Sequence, residues 1–241
     1  LPARVQADAA TAGAGTVAVR ISGSAFGETL EIEVLGLDRP RGEAALTQAW
    51  DAVVRGERDM HRLESRERVE RDRLGPELWS LVARAREFCA WSDGALGPAG
   101  GTIESLWNAA VRDGGFPTPD QLEEAAATAK CARLTLFPET REFTLAAGSL
   151  FDFSRFGRGW AVDLAVDQLL ASGASNLRLS LGAVTRAAGP GPEGQGWPVD
   201  LPALGPSAPS GSGAGRLLLR DQALAIADPG KSALLVAGET L

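Results

Sequence analysis

The sequence is poor in the residue types on which several common chemistries depend. Among 241 residues it has one histidine, two cysteines, one methionine and no tyrosine. A lone imidazole, His61, argues against zinc sites built on histidine and against most histidine-based acid–base catalysis. Cys89 and Cys131 lie too far apart for a CxxC motif and are too few for a disulfide framework. We therefore expect two free thiols, with a single bridge as the alternative.

Positive charge is also scarce, and long apolar runs are absent. The chain has 24 basic and 31 acidic residues, a net charge of -7 and a pI near 4.9. Proteins that neutralise nucleic-acid phosphates carry a basic excess instead, so we expect no nucleic-acid partner. No apolar run reaches the roughly 18 residues of a membrane-spanning helix. The chain begins at Leu1 rather than methionine, which we interpret as a trimmed precursor whose export or anchoring signal is no longer visible.

What remains is typical of a folded globular protein that mixes strands and helices. Hydrophobic residues make up 44% of the chain and charged residues 23%, which is close to the globular average. Alternation of apolar residues, which is strict only in the second segment, predicts two antiparallel strands at 16–22 and 29–35. From Glu43 the apolar spacing changes to three and four residues, which predicts a helix that is bent or broken near Gly56.

Further elements follow from caps, turns and periodicity. A helix is predicted from Pro76 until Asp93 and Gly94 stop it, and a second begins at the capping pair Thr118 and Gln121. The remaining predictions are a hairpin at 132–137 and 142–146, a strand at 150–153, a helix from Gly159 to Gly173, and strands at 177–181, 216–220, 223–227 and 232–237.

One stretch is unusually rich in glycine and proline. Fourteen of the thirty residues from Arg186 to Gly215 are one or the other, which predicts a long loop. No repeat or change of composition demands a domain boundary. We therefore expect an extended N-terminal arm at 1–15 and one mixed α/β (α+β) domain at 16–241, with largely antiparallel sheets and packed helices.

A glycine-containing turn before the last predicted helix is a candidate anion site. Gly157 and Gly159 match the opening of a GxGxxG motif, although Val162 stands where the third glycine belongs. The turn follows a strand and opens a helix, so its N–H groups can face an anion, with Arg158 as the cation and Asp163 as an acceptor. The simpler interpretation is that the glycines only permit a tight turn.

Several segments, taken in order, resemble the FAD:protein FMN transferases, also called ApbE-type flavin transferases. They extend over roughly residues 20 to 228. The matching segments are Phe26-Gly27-Glu28 ahead of an alternating strand, Asp93 to Ala99 with Leu106-Trp107 beyond it, Asp152 to Asp163, and Leu179 to Val184. The resemblance implies a flavin-transferase-like, T-fold-like domain.

The same resemblance implies which residues correspond to the family's flavin site. They are Gly27, Glu28, Gly94, Pro98, Gly157, Arg158, Gly159, Asp163 and Gly182. Family members use FAD and a magnesium ion, yet many contacting positions differ here. Glu28 stands at the family's threonine, Arg158 at its lysine, and Ala183 and Val184 at a glycine and an aspartate. The family's C-terminal third, which carries metal ligands, is expected to be missing beyond Leu241.

These substitutions lead to three hypotheses about function. The first is a catalytically silent relative with no catalytic residue, no metal site and no cofactor, which serves as a structural or accessory subunit of an extracytoplasmic (periplasmic) or membrane-associated respiratory or photosynthetic redox complex. The second is an active, divergent FAD:protein FMN transferase in which Asp152, Asp163 and a reshaped C-terminus recruit magnesium. The third is a non-catalytic binder of flavin or another nucleotide at the turn from Gly157 to Asp163.

Overall fold

A computed structural model describes residues 4–6, 18–66, 69–202, 213–227, 235–236 and 239–240. The helices in these ranges are Arg39–Glu64 (α1), Pro76–Trp91 (α2), Gly101–Arg112 (α3), Pro119–Thr128 (α4) and Gly157–Ala171 (α5), with a short 3-10 turn at Cys131–Arg133. The strands are Arg4–Gln6 (β1), Ala18–Ala25 (β2), Glu28–Leu35 (β3), Val69–Arg73 (β4), Leu134–Phe137 (β5), Glu142–Leu145 (β6), Asn176–Leu181 (β7), Val184–Ala188 (β8), Trp197–Pro202 (β9), Gly213–Leu219 (β10), Gln222–Ala225 (β11), Leu235–Val236 (β12) and Glu239–Thr240 (β13). None of the described helices is both long and apolar enough for a membrane span.

The chain divides into two compact units. Unit 1 comprises residues 1–57 and 158–232, and unit 2 comprises 58–157 and 233–241. Most of the predicted N-terminal arm, 1–15, lies outside the described residues, and its described part is strand β1, which pairs with β2. The predicted closing strand at 232–237 is described only at β12.

Unit 1 is built on a six-stranded sheet whose neighbouring strands are all antiparallel. The strand order is β1-β2-β3-β7-β8-β11. The predicted pair at 16–22 and 29–35 is confirmed by β2 and β3, in which Ile21 is opposite Ile32. Their connecting turn has positive φ at both Phe26 (53°) and Gly27 (69°). A two-residue hairpin turn of this kind matches the twist of its strands.

The main core of unit 1 lies between this sheet and two helices. Fully buried Leu30 and Ile32 from β3 pack with Leu46 of α1 and Leu169 of α5. The predicted break near Gly56 is wrong, because α1 continues through it to Glu64. A Cβ at Gly56 would lie 3.1 Å from the Trp160 ring, so glycine allows the helix and this ring to pack closely.

The predicted loop at 186–215 is also wrong for much of its described length. Strand β8 extends into it, and β9 and β10 form an antiparallel hairpin. The anchor is Trp197, which is 1% exposed and donates its indole N–H to the Ala188 carbonyl at 3.1 Å. Apolar packing around this ring outweighs the low strand propensity of glycine and proline. Residues 203–212 lie outside the described part of the chain.

Unit 2 combines three short helices with a three-stranded sheet in the order β4-β6-β5. The capping box of Thr118 and Gln121 is confirmed at the start of α4, as is the hairpin of β5 and β6. The predicted strand at 150–153 is wrong, because only Leu150 forms a bridge, to Gly100. Phe151 and Phe153 stack at 5.3 Å instead.

The expectation of two free thiols is corrected by a disulfide in unit 2. Cys89 of α2 and Cys131 of the 3-10 turn are bonded, with their Cα atoms 5.9 Å apart. This Cα separation suits a disulfide. Helix α2 points Cys89 inward, where it is fully buried, and the chain returns to it 42 residues later.

Candidate functional site

Three of the residues matched to the family's flavin site meet at one end of the unit 1 sheet. Glu28 begins β3, Gly182 lies in the turn between β7 and β8, and Arg158 lies in the first turn of α5. The Arg158 guanidinium donates from Nη1 to Glu28 Oε1 at 3.1 Å. Both side chains are partly exposed, at 40% and 44%. The structure therefore pairs two candidate site residues that are 130 positions apart in sequence.

Gly182 makes room for the Glu28 side chain. A Cβ at Gly182 would lie 2.8 Å from Glu28 Cδ, and the φ of Gly182 is +55°. The Gly182 N–H donates to the Thr29 carbonyl at 2.9 Å. Because both space and backbone conformation favour glycine here, a larger residue would displace the Glu28 carboxylate.

Gly27 belongs to the turn that precedes this ion pair. The backbone N–H of Phe26 donates to Glu57 Oε1 of α1 at 2.7 Å, which ties the turn to the helix beneath the sheet. Gly27 itself has open space where a Cβ would be. Its positive φ of 69° is thus the physical reason for glycine at this position.

At the turn that opens α5, some of the groups expected to face an anion already have partners. The N–H of Gly157 donates to the Phe153 carbonyl at 2.7 Å, so this group already has a partner. Gly159 has open space where a Cβ would be. Asp163 accepts a hydrogen bond from Arg186 of β8 at 2.7 Å, and Asp167 lies 3.6 Å from the same guanidinium. Arg186 therefore balances Asp163, one of the two carboxylates that the second hypothesis needs for a metal.

Gly94 and Pro98 lie in unit 2, on the connection between α2 and α3. Gly94 has a φ of +84°, and the carbonyl of Pro98 accepts the N–H of Asp152 at 2.9 Å. This connection lines a groove with a volume of about 490 Å³. The groove residues are Gly94, Ala95, Leu96, Gly97, Gly100, Ile103, Glu104, Trp107, Asn108, Ala129, Asp152, Ser154 and Arg155.

The groove holds two carboxylates that interact. Partial burial of Glu104 raises the pKa of its carboxyl group, and the charges of Asp152 and Glu64 raise it further, whereas Arg155 lowers it. Asp152 Oδ1 accepts the N–H of Ser154 at 2.8 Å. The sequence analysis did not identify Glu104, because α3 was not predicted. The only part of this helix that the sequence analysis used was Leu106-Trp107, which belongs to the family resemblance.

An exposed aromatic cluster is a second feature of unit 2 that the sequence analysis missed. Trp91 is 81% exposed and meets Phe88 edge-to-face at 6.3 Å, and Phe88 lies 5.8 Å from Phe156. We call these three residues the aromatic cluster. Phe88 is 39% exposed at the surface of α2.

In the parts of the chain that the structure describes, no three His, Cys, Asp or Glu residues are grouped so that they could hold a metal ion. Asp152 belongs to unit 2 and Asp163 to unit 1. Each of them has the local partner described above.

Sequence comparison relates the chain to flavin transferases. Residues 26–231 match the ApbE family. The FAD:protein FMN transferase of Haemophilus influenzae is 29% identical over 133 residues. That match covers 53% of this chain and 38% of the relative, so it spans well under half of the relative's length.

Solved structures with the same fold come from several bacteria. An ApbE protein from Thermotoga maritima superposes with a TM-score of 0.75 at 18% identity, covering 92% of this chain and 74% of the other. The flavinyl transferase ApbE of Pseudomonas stutzeri, in its apo form, gives 0.68 at 19% identity, with 85% and 67% covered. The flavin transferase ApbE of Vibrio cholerae gives 0.67 at 19% identity, with 86% and 70% covered. These likenesses confirm the expected flavin-transferase-like mixed α/β fold.

Proposed function

The chain belongs to the ApbE family, and on that premise we propose that it is a catalytically silent member that serves as an accessory subunit of an extracytoplasmic or membrane-associated redox complex. The observation that carries the proposal is the ion pair of Glu28 and Arg158. It occupies two positions at which the family resemblance places a threonine and a lysine. In this proposal the protein contributes a binding surface to the complex and catalyses no reaction.

The ion pair changes how this end of the sheet interacts with a phosphate group. A diphosphate is an anion and needs hydrogen-bond donors and cations around it. Here the Arg158 guanidinium already donates to the Glu28 carboxylate at 3.1 Å, and that carboxylate repels a second anion. The residues present therefore do not fit the diphosphate of FAD, and we derive no catalytic step through FAD or magnesium.

A binding experiment tests this part of the proposal. We expect the purified protein to show no micromolar affinity for FAD in a fluorescence titration with magnesium, and no transfer of FMN to a threonine-containing acceptor peptide. Titrations with FMN and ADP test the third hypothesis, a non-catalytic nucleotide binder, in the same assay. Labelled FMN on the acceptor peptide would refute catalytic silence.

A matched pair of variants tests whether the ion pair is the cause. Glu28→Thr removes the carboxylate and releases Arg158, so we expect it to bind ADP and FAD more tightly than the wild type. Glu31→Thr removes an exposed carboxylate from the same strand, β3, and should leave the affinity unchanged. Equal affinity in all three proteins would show that Glu28 does not exclude the diphosphate.

The accessory role is supported by the aromatic cluster of unit 2. Protein interfaces are enriched in aromatic residues, and their energetic centres are often tryptophan. Trp91, with 81% of its surface exposed, is the kind of side chain that a protein partner would cover. A disulfide is rare in reducing compartments, so the bond between Cys89 and Cys131 supports an extracytoplasmic location.

Isolation of the protein from native membranes tests the accessory role. We expect it to co-purify with a redox complex at both low and high salt if the aromatic cluster mediates the contact, because apolar contacts are weakly screened. Trp91→Ser should release it. Phe116→Ser, which changes another exposed aromatic residue of unit 2, should not. A protein that migrates alone under all of these conditions would contradict the proposal.

The groove of unit 2 supports a second candidate, an active and divergent magnesium-dependent FAD:protein FMN transferase. Its support is the pair of interacting carboxylates, Glu104 and Asp152, in a groove of about 490 Å³. This candidate requires magnesium-dependent cleavage of FAD that is lost in Asp152→Asn and in Asp163→Ala. Cleavage that persists in both variants would assign the activity to other residues.

A further inference from the structure

The disulfide of unit 2 borders an open cavity that is adjacent to the groove. This cavity has a volume of about 620 Å³ and is lined by both cysteines, with Gly94, Ile103 and Ala129 shared with the groove. Cys89 is fully buried, whereas Cys131 is half-buried. Of the two cysteines, Cys131 is therefore the more exposed residue.

The charges around this cavity favour thiol–disulfide exchange. Its charged lining residues are Arg86, Lys130 and Asp93, which leaves a positive balance. Cations beside a cysteine stabilise its thiolate, both as the attacking species and as the leaving group. A disulfide that serves only as a buried cross-link needs neither an open approach nor cationic neighbours.

The bond is also in close contact with the wall of the groove. A Cβ at Gly97 would lie 2.7 Å from Cys89 Sγ, so the backbone of Gly97 lies directly against the sulfur. Two sulfur atoms that are no longer bonded cannot stay at the bonding distance of about 2.05 Å. Reduction must therefore separate the two sulfur atoms, and the Cys89 sulfur already lies against Gly97. We expect the separation to displace Gly97, which lines the groove.

We propose that the bond between Cys89 and Cys131 is an exchangeable redox site whose state controls the conformation of the segment 94–100. The reductant is a protein dithiol. One of its thiolates attacks Cys131 Sγ, forms a mixed disulfide and releases the Cys89 thiolate. Its second thiolate attacks the donor sulfur of that mixed disulfide and releases the Cys131 thiolate. The donor ends as a disulfide, and the two cysteines gain two electrons and the two protons of the donor's thiols.

The first test measures exchange in the folded protein, with dithiothreitol as the dithiol. After quenching with a maleimide, mass spectrometry should show two modified cysteines without denaturant. Replacing Arg86 and Lys130 together with glutamine should slow reduction at least about threefold. The control, Arg84→Gln, changes an exposed arginine of the same helix that is paired with Glu87, and it should keep the wild-type rate. A bond that is reduced only after unfolding would overturn the proposal.

The second test measures the conformational consequence. Hydrogen exchange of the amides in the segment 94–100 should be faster in the reduced than in the oxidised wild-type protein, while the amides of β3 and β7 in unit 1 should not change. The Cys89→Ser, Cys131→Ser double variant should match the reduced form. Because the reduced wild-type chain is measured directly, the test remains valid if that variant fails to fold. Equal exchange of 94–100 in both redox states would show that the bond is an inert cross-link.

Discussion

The two units of this protein differ in the interactions that stabilise each of them internally. Unit 1 buries one face of a six-stranded antiparallel sheet against α1 and α5, with fully buried leucines and valines from all of these elements. Unit 2 contains α2, α3 and α4, a three-stranded sheet and the disulfide from α2 to the 3-10 turn. Both cysteines of the chain belong to unit 2.

The difference shows how the size of a core relates to the need for a cross-link. A broad sheet covered by helices removes much apolar surface from water, at roughly 25 cal/mol per Å². The sheet of unit 2 has only three strands, and its disulfide stabilises the unit by reducing the conformational freedom of the unfolded chain. The groove and its neighbouring cavity are both lined by residues of unit 2, and the cavity is lined by the two bonded cysteines.

The largest expected effect is a loss of stability on truncating the core of unit 1. Leu46 is fully buried in α1, so Leu46→Ala should lower the free energy of unfolding by about 2 to 5 kcal/mol, as measured by urea denaturation. Val54→Ala, on the same helix but 42% exposed, should change it by less than about 0.5 kcal/mol. If the loss in Leu46→Ala were as small as that in Val54→Ala, unit 1 would not depend on this core.

Removing the disulfide should have the next largest effect and should be specific to unit 2. The Cys89→Ser, Cys131→Ser double variant is expected to lose about 2 to 4 kcal/mol of unfolding free energy. In hydrogen-exchange measurements, protection should fall in α2 and β5 but persist in β3 and β7. Equal loss of protection in both units would show that they unfold together. The two units would then not differ in how their stability depends on the disulfide.

The smallest expected effect concerns Glu104 in the groove. Burial and the neighbouring Asp152 raise the pKa of its carboxyl group in the folded protein, so folding is favoured when this group is protonated. That contribution is complete below the ordinary pKa of a glutamate and is lost as the pH rises through the raised value. Glu104→Gln should therefore raise the melting temperature at pH 7, and the gain should disappear toward pH 4.

A control on α4 separates this effect from a general effect of negative charge. Glu124→Gln removes an exposed carboxylate from that helix and adds the same +1 to the net charge of the protein. We expect the gain of Glu104→Gln at pH 7 to exceed that of Glu124→Gln. Melting curves of both variants from pH 4 to pH 7 provide the comparison, and equal gains would mean that the groove does not perturb Glu104.

Local chemistry in the sequence predicted the elements whose signals lie within a few residues. The alternation in 29–35 identified β3, and Thr118 with Gln121 identified the start of α4. The glycine at position 27 marked the turn at which φ is positive. These features are predictable because a cap, a turn or a strand face depends on neighbours that are also close in sequence.

The elements that the sequence analysis did not predict depend on residues that are distant in sequence or lack a local start signal. Helix α3 begins at Gly100 and Gly101 without a side-chain cap, so no start signal marks it. The hairpin of β9 and β10 depends on burial of Trp197 against residues from other strands, and its glycine and proline content hides it. In both cases tertiary packing overrides the local propensity.

The family and the mixed α/β class could be read from the order of motifs along the chain, which also marked Glu28, Arg158 and Gly182 as candidates. Only the tertiary structure decided that Glu28 is paired with Arg158 across 130 positions and that Cys89 is bonded to Cys131 across 42. The physical reason is that an ion pair or a disulfide depends on a distance in space, and that distance is set by how the whole sheet and its helices pack.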